Sequence, residues 1–182
     1  MAMDRVKLRA NIAQGDADLL NSIEQSELDA LTDAILEANR IFVAGFGRAG
    51  NSVKILSMNC SQAGLETFVV GDNSTPSIHE GDLLVIGSGS GETKTMAIIA
   101  QQCKEHGAKL ALISGNKEST IGKLADINVL IPRGERKSKL PEDRSGSFYH
   151  VMLMAVDCVQ AYVMEARGLT GDDIRYNHNN LE

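Results

Sequence analysis

Ser88, Ser90 and Thr93 sit among glycines in the string Ser88-Gly-Ser-Gly-Glu-Thr93. Their hydroxyls can bond an oxyanion, and the intervening glycines let the backbone approach a ligand with no side chain in the way. The apolar run Leu83–Ile86 precedes the string, and the helical pattern Thr95–Cys103 follows it. A buried strand therefore enters a tight loop and leaves through a helix N-terminus. The first N–H groups of such a helix have no internal partner and lie at the positive end of its dipole. That combination suits a phosphate. Ser88, Gly89, Ser90, Gly91, Glu92 and Thr93 are the expected phosphate-binding residues, with Glu92 also favouring the helix dipole.

A second glycine loop lies upstream, in Ile41-Phe-Val-Ala-Gly45-Phe-Gly47-Arg48-Ala-Gly50. It matches G-x-G-x-x-G between a strand and a helix, and Asp72 follows the next strand about 20 residues on, where a dinucleotide site has its ribose-binding acid. A dinucleotide is therefore one reading. Against it, Arg48 would crowd a pyrophosphate, and the serine loop would have no role. A nucleotide P-loop is excluded, because G-x-x-x-x-G-K-[ST] is absent. The favoured reading places both loops at the C-terminal ends of neighbouring parallel strands, where open α/β sheets bind ligands. The serine loop then grips a phosphate, while Gly47 and Arg48 meet the attached sugar. No cofactor is expected, and no residues have metal-ligand spacing.

These loops need a sheet to position them. Short apolar runs occur at Ile41–Ala44, Thr67–Val70, Leu83–Ile86 and Leu110–Ile113, with a weaker fifth at Ile127–Ile131. Helical patterns at Ala49–Ala63, Thr93–His106 and Ser119–Leu124 separate most of them. Alternation of this kind predicts an α/β fold: a doubly wound five-stranded parallel sheet flanked by helices, with additional N- and C-terminal helices. The expected division of a single domain over 1–182 is N-terminal helices at 1–39, α/β core at 40–131, an exposed loop at 132–146 and C-terminal helices at 147–182. The N-terminal pattern runs from about Asp16 to Asn39 and breaks near Gln25–Ser26, where Ser26 and Asp29 are expected to cap a second helix. Ser147–Arg167 reads as a long helix ended by Gly168, with Thr170 and Asp173 capping a short last one. Its apolar residues run all round, so an oligomer is favoured over a central helix of one monomer.

The bulk numbers narrow the partners. A length of 182 residues suffices for one domain with a proper core. The net charge of −6 gives no general attraction to nucleic acid or anionic membrane, so an anion must be held by a local site. Cys60, Cys103 and Cys158 show no C-x-x-C spacing and read as reduced, buried thiols. No apolar stretch reaches membrane-spanning length and no signal peptide is visible, so a cytoplasmic protein is expected.

The serine string, the preceding Thr75-Pro76 and Gly45-Phe-Gly47-Arg48 resemble the sugar isomerase (SIS) domain, and within it the 6-phospho-3-hexuloisomerase branch. The similarity extends to Ser119-Thr-Ile-Gly-Lys-Leu-Ala-Asp126, to Gly146-Ser147 and to the tail His178-Asn-Asn-Leu-Glu182. The resemblance implies aldose–ketose isomerisation of a sugar phosphate, here hexulose 6-phosphate to fructose 6-phosphate, by a homotetramer or a dimer. It also marks departures. Ala49 stands where the family usually has serine, and Asn59 and Gln62 replace an arginine and a histidine. His150 occupies the position of the glutamate proposed as proton acceptor.

Moving a carbonyl along a sugar needs a base that takes a proton from the neighbouring carbon and returns it one carbon away. One group titrating near neutrality can do both. Histidine is competent, so His150 is the first candidate and His178 the second, the latter either helping to open a sugar ring or completing a neighbouring subunit's site. Three functions are carried forward: an active phosphosugar isomerase, a sugar-phosphate-binding module without catalysis, and a dinucleotide-dependent enzyme. Sensors of the second kind commonly carry a DNA-binding domain, which is not expected here.

Overall fold

The structure, a computed structural model, describes residues 4–132 and 146–181. The elements are α1 (Arg5–Leu20), α2 (Gln25–Glu37), β1 (Ile41–Gly45), α3 (Gly47–Gln62), β2 (Thr67–Val69) and β3 (Leu83–Gly87). There follow α4 (Lys94–Glu105), β4 (Lys109–Ser114), β5 (Ile127–Leu130), α5 (Phe148–Arg167) and α6 (Gly171–Asn177). The strands form one parallel sheet in the order β2-β1-β3-β4-β5. The predicted α/β architecture with its five strands is therefore observed.

Alternation along each strand sends successive side chains to opposite faces. Ile41 and Val43 of β1 join Val85 and Ile113 under α2, α3 and α5. Phe42 and Ala44 join Ile86 and Leu112 under α4, with Met96 and Ala100. The central strands β1, β3 and β4 are buried on both sides, which explains their continuous apolar runs.

Several expected boundaries differ. α1 starts at Arg5, eleven residues before Asp16, because Asp4 caps it by accepting from the N–H groups of Val6 and Lys7 at 3.1 and 3.0 Å. Only Gly15, Asp16 and Leu19 of α1 are buried, so its first half carries no apolar periodicity. α2 begins at Gln25 without a side-chain cap. Asp29 instead accepts from the Gln25 amide at 2.7 Å, and Ser26 lies inside the first turn. The expected helix at Ser119–Leu124 is a set of turns. α5 ends at a left-handed Gly168, and Thr170 with Asp173 forms a capping box on α6. One face of α5 is buried within this chain through Val151, Met152, Ala155, Val156, Val159 and Val163. That accounts for most of the apolar character that pointed toward a partner. The expected loop at 132–146 lies, apart from its two ends, outside the described residues.

Two interactions fix the sheet relative to its connections. A Cβ on Gly50 would lie 2.4 Å from the Gly45 carbonyl oxygen, so α3 crosses the end of β1 at a separation only glycine permits. At the other end, Asp82 accepts from Arg40 at 2.7 and 3.1 Å and from the His79 N–H at 2.8 Å. Burial alone would raise the Asp82 carboxyl, but the Arg40 and His79 hydrogen bonds hold it below the ordinary 3.8.

Gly50→Ala is expected to cost about 1–3 kcal/mol through backbone overlap, measured as a lowered urea midpoint. Asp82 is charged more readily in the folded than in the unfolded state. Its contribution is therefore full above the unfolded value and is lost as pH falls through the folded one. The stability gap between wild type and Asp82→Asn should be largest near neutral pH and shrink below about pH 4.

Candidate functional site

The chain leaves β1 for β2 on one side and returns to β3 on the other, so strand order reverses between β1 and β3. Gly45 pairs with Gly87 there. Beyond Gly45, Phe46 precedes α3; beyond Gly87, the serine loop runs to Thr93, the residue before α4, and neither makes a side-chain capping bond. Two helix N-termini thus meet at one sheet edge, with the start of α5 beside them. The cavity between them has a volume of about 480 Å³.

Internal hydrogen bonds build the serine loop. The buried Ser88 hydroxyl accepts from the Gly91 N–H and lies 3.2 Å from the Thr93 hydroxyl. Ser90 accepts from the Glu92 N–H at 3.1 Å. The Gly89 and Gly91 carbonyls are turned away, accepting from Gly115 and Ile121. The N–H groups of Gly89, Ser90 and Thr93 have no partner among the described residues. With these carbonyls occupied and three amides unpartnered among the described residues, the loop can cradle an anion.

Ser88, Gly89, Ser90 and Thr93 line the cavity, as do Gly47 and Arg48 from the first loop. Gly91 and Glu92 do not. Gly91 has φ +67° and packs on the 116–119 turn, where a Cβ would overlap the Ser119 hydroxyl. The Glu92 carboxylate accepts from the Thr120 hydroxyl at 2.7 Å and the Thr120 N–H at 2.8 Å, and these bonds lower its pKa. Pointing there, it keeps a negative charge off the cradle. The Arg48 guanidinium lies 4.0 Å above the Tyr149 ring and has no ion-pair partner among the described residues.

The two histidines lie apart from this lining. His150, in the first turn of α5, has Nδ1 2.7 Å from the Asp16 carboxylate. The same buried carboxylate accepts from the Ser147 N–H at 2.9 Å, so Asp16 joins α1 to the start of α5. His178 follows α6, where Asn177 donates to the Gln62 carbonyl at the far end of α3. The 16 residues of α3 span about 24 Å, so His178 lies well away from this cavity. Asn59 also lies down α3, buried, donating to Asp157 at 3.0 Å. Sequence reasoning missed Asp16, Phe148 and Tyr149. The aromatic pair beside Gly146-Ser147 was a local signal, whereas the Asp16 contact spans 134 residues and left none. Burial pushes Cys60 up to about 12 and Cys103 to about 11, which leaves both as inert thiols near neutral pH. No group of three or more metal-ligating side chains occurs among the described residues, and no described helix is long and apolar enough to cross a membrane.

A model of the SIS domain matches residues 34–161, which include both glycine loops. The chain belongs to the SIS domain family. It is 35% identical over 178 residues to the 3-hexulose-6-phosphate isomerase of Bacillus subtilis (strain 168), covering 91% of this chain and 96% of that one. It is 31% identical over 170 residues to the enzyme of the same name from Mycobacterium gastri, covering 91% and 85%. Its fold is also similar to a crystal structure from Methanococcus jannaschii, with a TM-score of 0.84 and 26% identity over 96% of this chain and 99% of that one. A molecular function of 3-hexulose-6-phosphate isomerase was inferred for that protein from its structure. Within this SIS fold, the anion cradle predicts a clear division among the candidate residues. Arg48→Ala should weaken inorganic phosphate binding about tenfold or more, while Glu92→Gln stays within about twofold in calorimetric titration.

Proposed function

We propose that this chain interconverts 3-hexulose 6-phosphate and fructose 6-phosphate through an ene-diol, as a phosphosugar isomerase. The observation that carries this reading is the cradle of amides and hydroxyls at the strand-order reversal, faced by an Arg48 that has no ion-pair partner among the described residues. It occurs in a chain 35% identical to a protein named for that reaction. The phosphate would sit on the N–H groups of Gly89, Ser90 and Thr93, and the Ser88 bonds keep the loop in the shape that presents them. Gly47 would face the sugar, and Arg48, lining the same cavity, would reach the phosphate.

The base takes the proton from C2 of the 3-ketose. Negative charge spreads onto the C3 oxygen, which takes up a proton to give the ene-diol. The C2 hydroxyl then gives up its proton as the carbon proton returns at C3, leaving the carbonyl at C2 and a hydroxyl at C3. His150 is the proposed base. With Nδ1–H donated to Asp16, the neutral ring keeps its lone pair on Nε2, and the carboxylate stabilises the imidazolium that forms. His178 would act in the site of another protomer. The proposal therefore includes a single-domain, cytoplasmic homotetramer working without a cofactor.

One observation favours a second reading, a sugar-phosphate-binding protein without catalysis. None of the described residues lining the cavity is a carboxylate or a histidine, so binding does not itself place a base on the substrate. Incubation with fructose 6-phosphate in D₂O separates the two. An isomerase incorporates deuterium at C3, and His150→Ala lowers that rate about 100-fold or more with phosphate binding retained. Binding without any exchange would establish the second reading instead.

A further inference from the structure

Arg48 stands in the first turn of α3 and carries the positive charge that lines the cavity. Its side chain has several freely rotating bonds, and no carboxylate among the described residues fixes where its charge lies. What holds it is Tyr149, whose ring centroid is 4.0 Å from the guanidinium carbon. A guanidinium stacked on an aromatic face keeps all its N–H donors in its own plane, free for a ligand, whereas a carboxylate partner would consume two of them.

Tyr149 is itself held in place. Its carbonyl accepts from the Ser52 hydroxyl at 2.9 Å, which ties the start of α5 to α3. Phe148 meets its ring edge-on, with centroids 5.4 Å apart. Its hydroxyl lies 3.9 Å from where a Cβ on Gly89 would sit. The ring therefore stands over Arg48 of the first glycine loop, with its hydroxyl directed toward Gly89 of the serine loop. A residue of α5 thus lies between the two loops at the cavity.

We propose that Tyr149 is the positioning residue for Arg48: its ring fixes the guanidinium, with no described carboxylate taking its donors, over the anionic end of a phosphate monoester. This rests on the sugar-phosphate reading above and adds to it a residue outside both glycine loops. The ring acts on binding, so removing it should raise KM and leave kcat at saturation nearly unchanged.

The test measures affinity for fructose 6-phosphate and for inorganic phosphate by calorimetry in wild type, Tyr149→Phe and Tyr149→Leu, with KM and kcat alongside. Tyr149→Phe keeps the ring and should restore most of what Tyr149→Leu loses, a weakening of about 3- to 30-fold. In an Arg48→Ala background, Tyr149→Leu should change affinity by less than about twofold, because a residue acting through Arg48 has nothing left to position. A series of phenylalanines carrying one, two and three fluorines at position 149 preserves the packing while draining negative charge from the ring face. Affinity should fall stepwise along it, and this arm stands if the leucine variant fails to fold. A flat fluorine series in a protein that binds phosphate overturns this inference alone, as does an equal cost of Tyr149→Leu with and without Arg48. A wild type that binds neither ligand overturns the sugar-phosphate reading and this inference with it.

Discussion

Parallel pairing of β1 with β3 puts Gly45 beside Gly87, and each glycine is the last residue of its strand. From that pair the chain departs in opposite directions, into α3 on one face of the sheet and α4 on the other. Both helices therefore aim their N-termini at one spot, and the dipoles and free amides add there. The close contacts around these residues follow from the same requirement. Gly50 lets α3 lie against the β1 carbonyl, and Gly87 lies where a Cβ would press on Val53 and Met152. A side chain at any of these positions would push the helices apart and open the cradle.

Charge is then placed with care on a chain whose net charge is −6. At that net charge the long-range field repels an anion, so attraction must be local and within a few ångströms. The cradle meets this by what it excludes as much as by what it offers. Glu92, next to the phosphate loop in sequence, is drawn onto Thr120. Arg48 is held by an uncharged ring, so its charge is oriented without being neutralised by any described carboxylate. Carbonyls of the loop are occupied by Gly115 and Ile121. The result is a small positive region inside an acidic protein.

The sheet and the two loops were legible in the sequence because their signals are local. Apolar runs closed by glycine marked β1 and β3, and the alternation of strands with helices implied the parallel order. Where the signal was weak, the reading failed for physical reasons. α1 packs few residues, so its polar first half showed no periodicity. Ser119–Leu124 has helical spacing but is shaped into turns, since Ser119 and Ile121 are fastened to the serine loop. Gly91 and Glu92 share the phosphate motif in sequence and serve that fastening in space. Tyr149 and Asp16 act across distances of about a hundred residues or more, to Arg48 and to His150, and no spacing rule reaches that far.

The anion cradle and the proposed base are built on different parts of the fold. The cradle stands on the sheet edge, where backbone geometry is fixed by strand register and rigid glycine contacts. His150 stands instead on α5 and is braced from α1, an element with few other buried residues. The two meet only through the first turn of α5, in which Tyr149 faces the cavity and His150, the next residue, faces Asp16. A hundred-degree step along a helix separates neighbouring side chains, so one turn can serve both functions without either group displacing the other. Movement of α1 would shift Asp16 and the histidine it holds while leaving the phosphate grip intact. A different side chain at position 150 is for that reason compatible with an unaltered cradle, and the presence of histidine there leaves the cradle's geometry untouched.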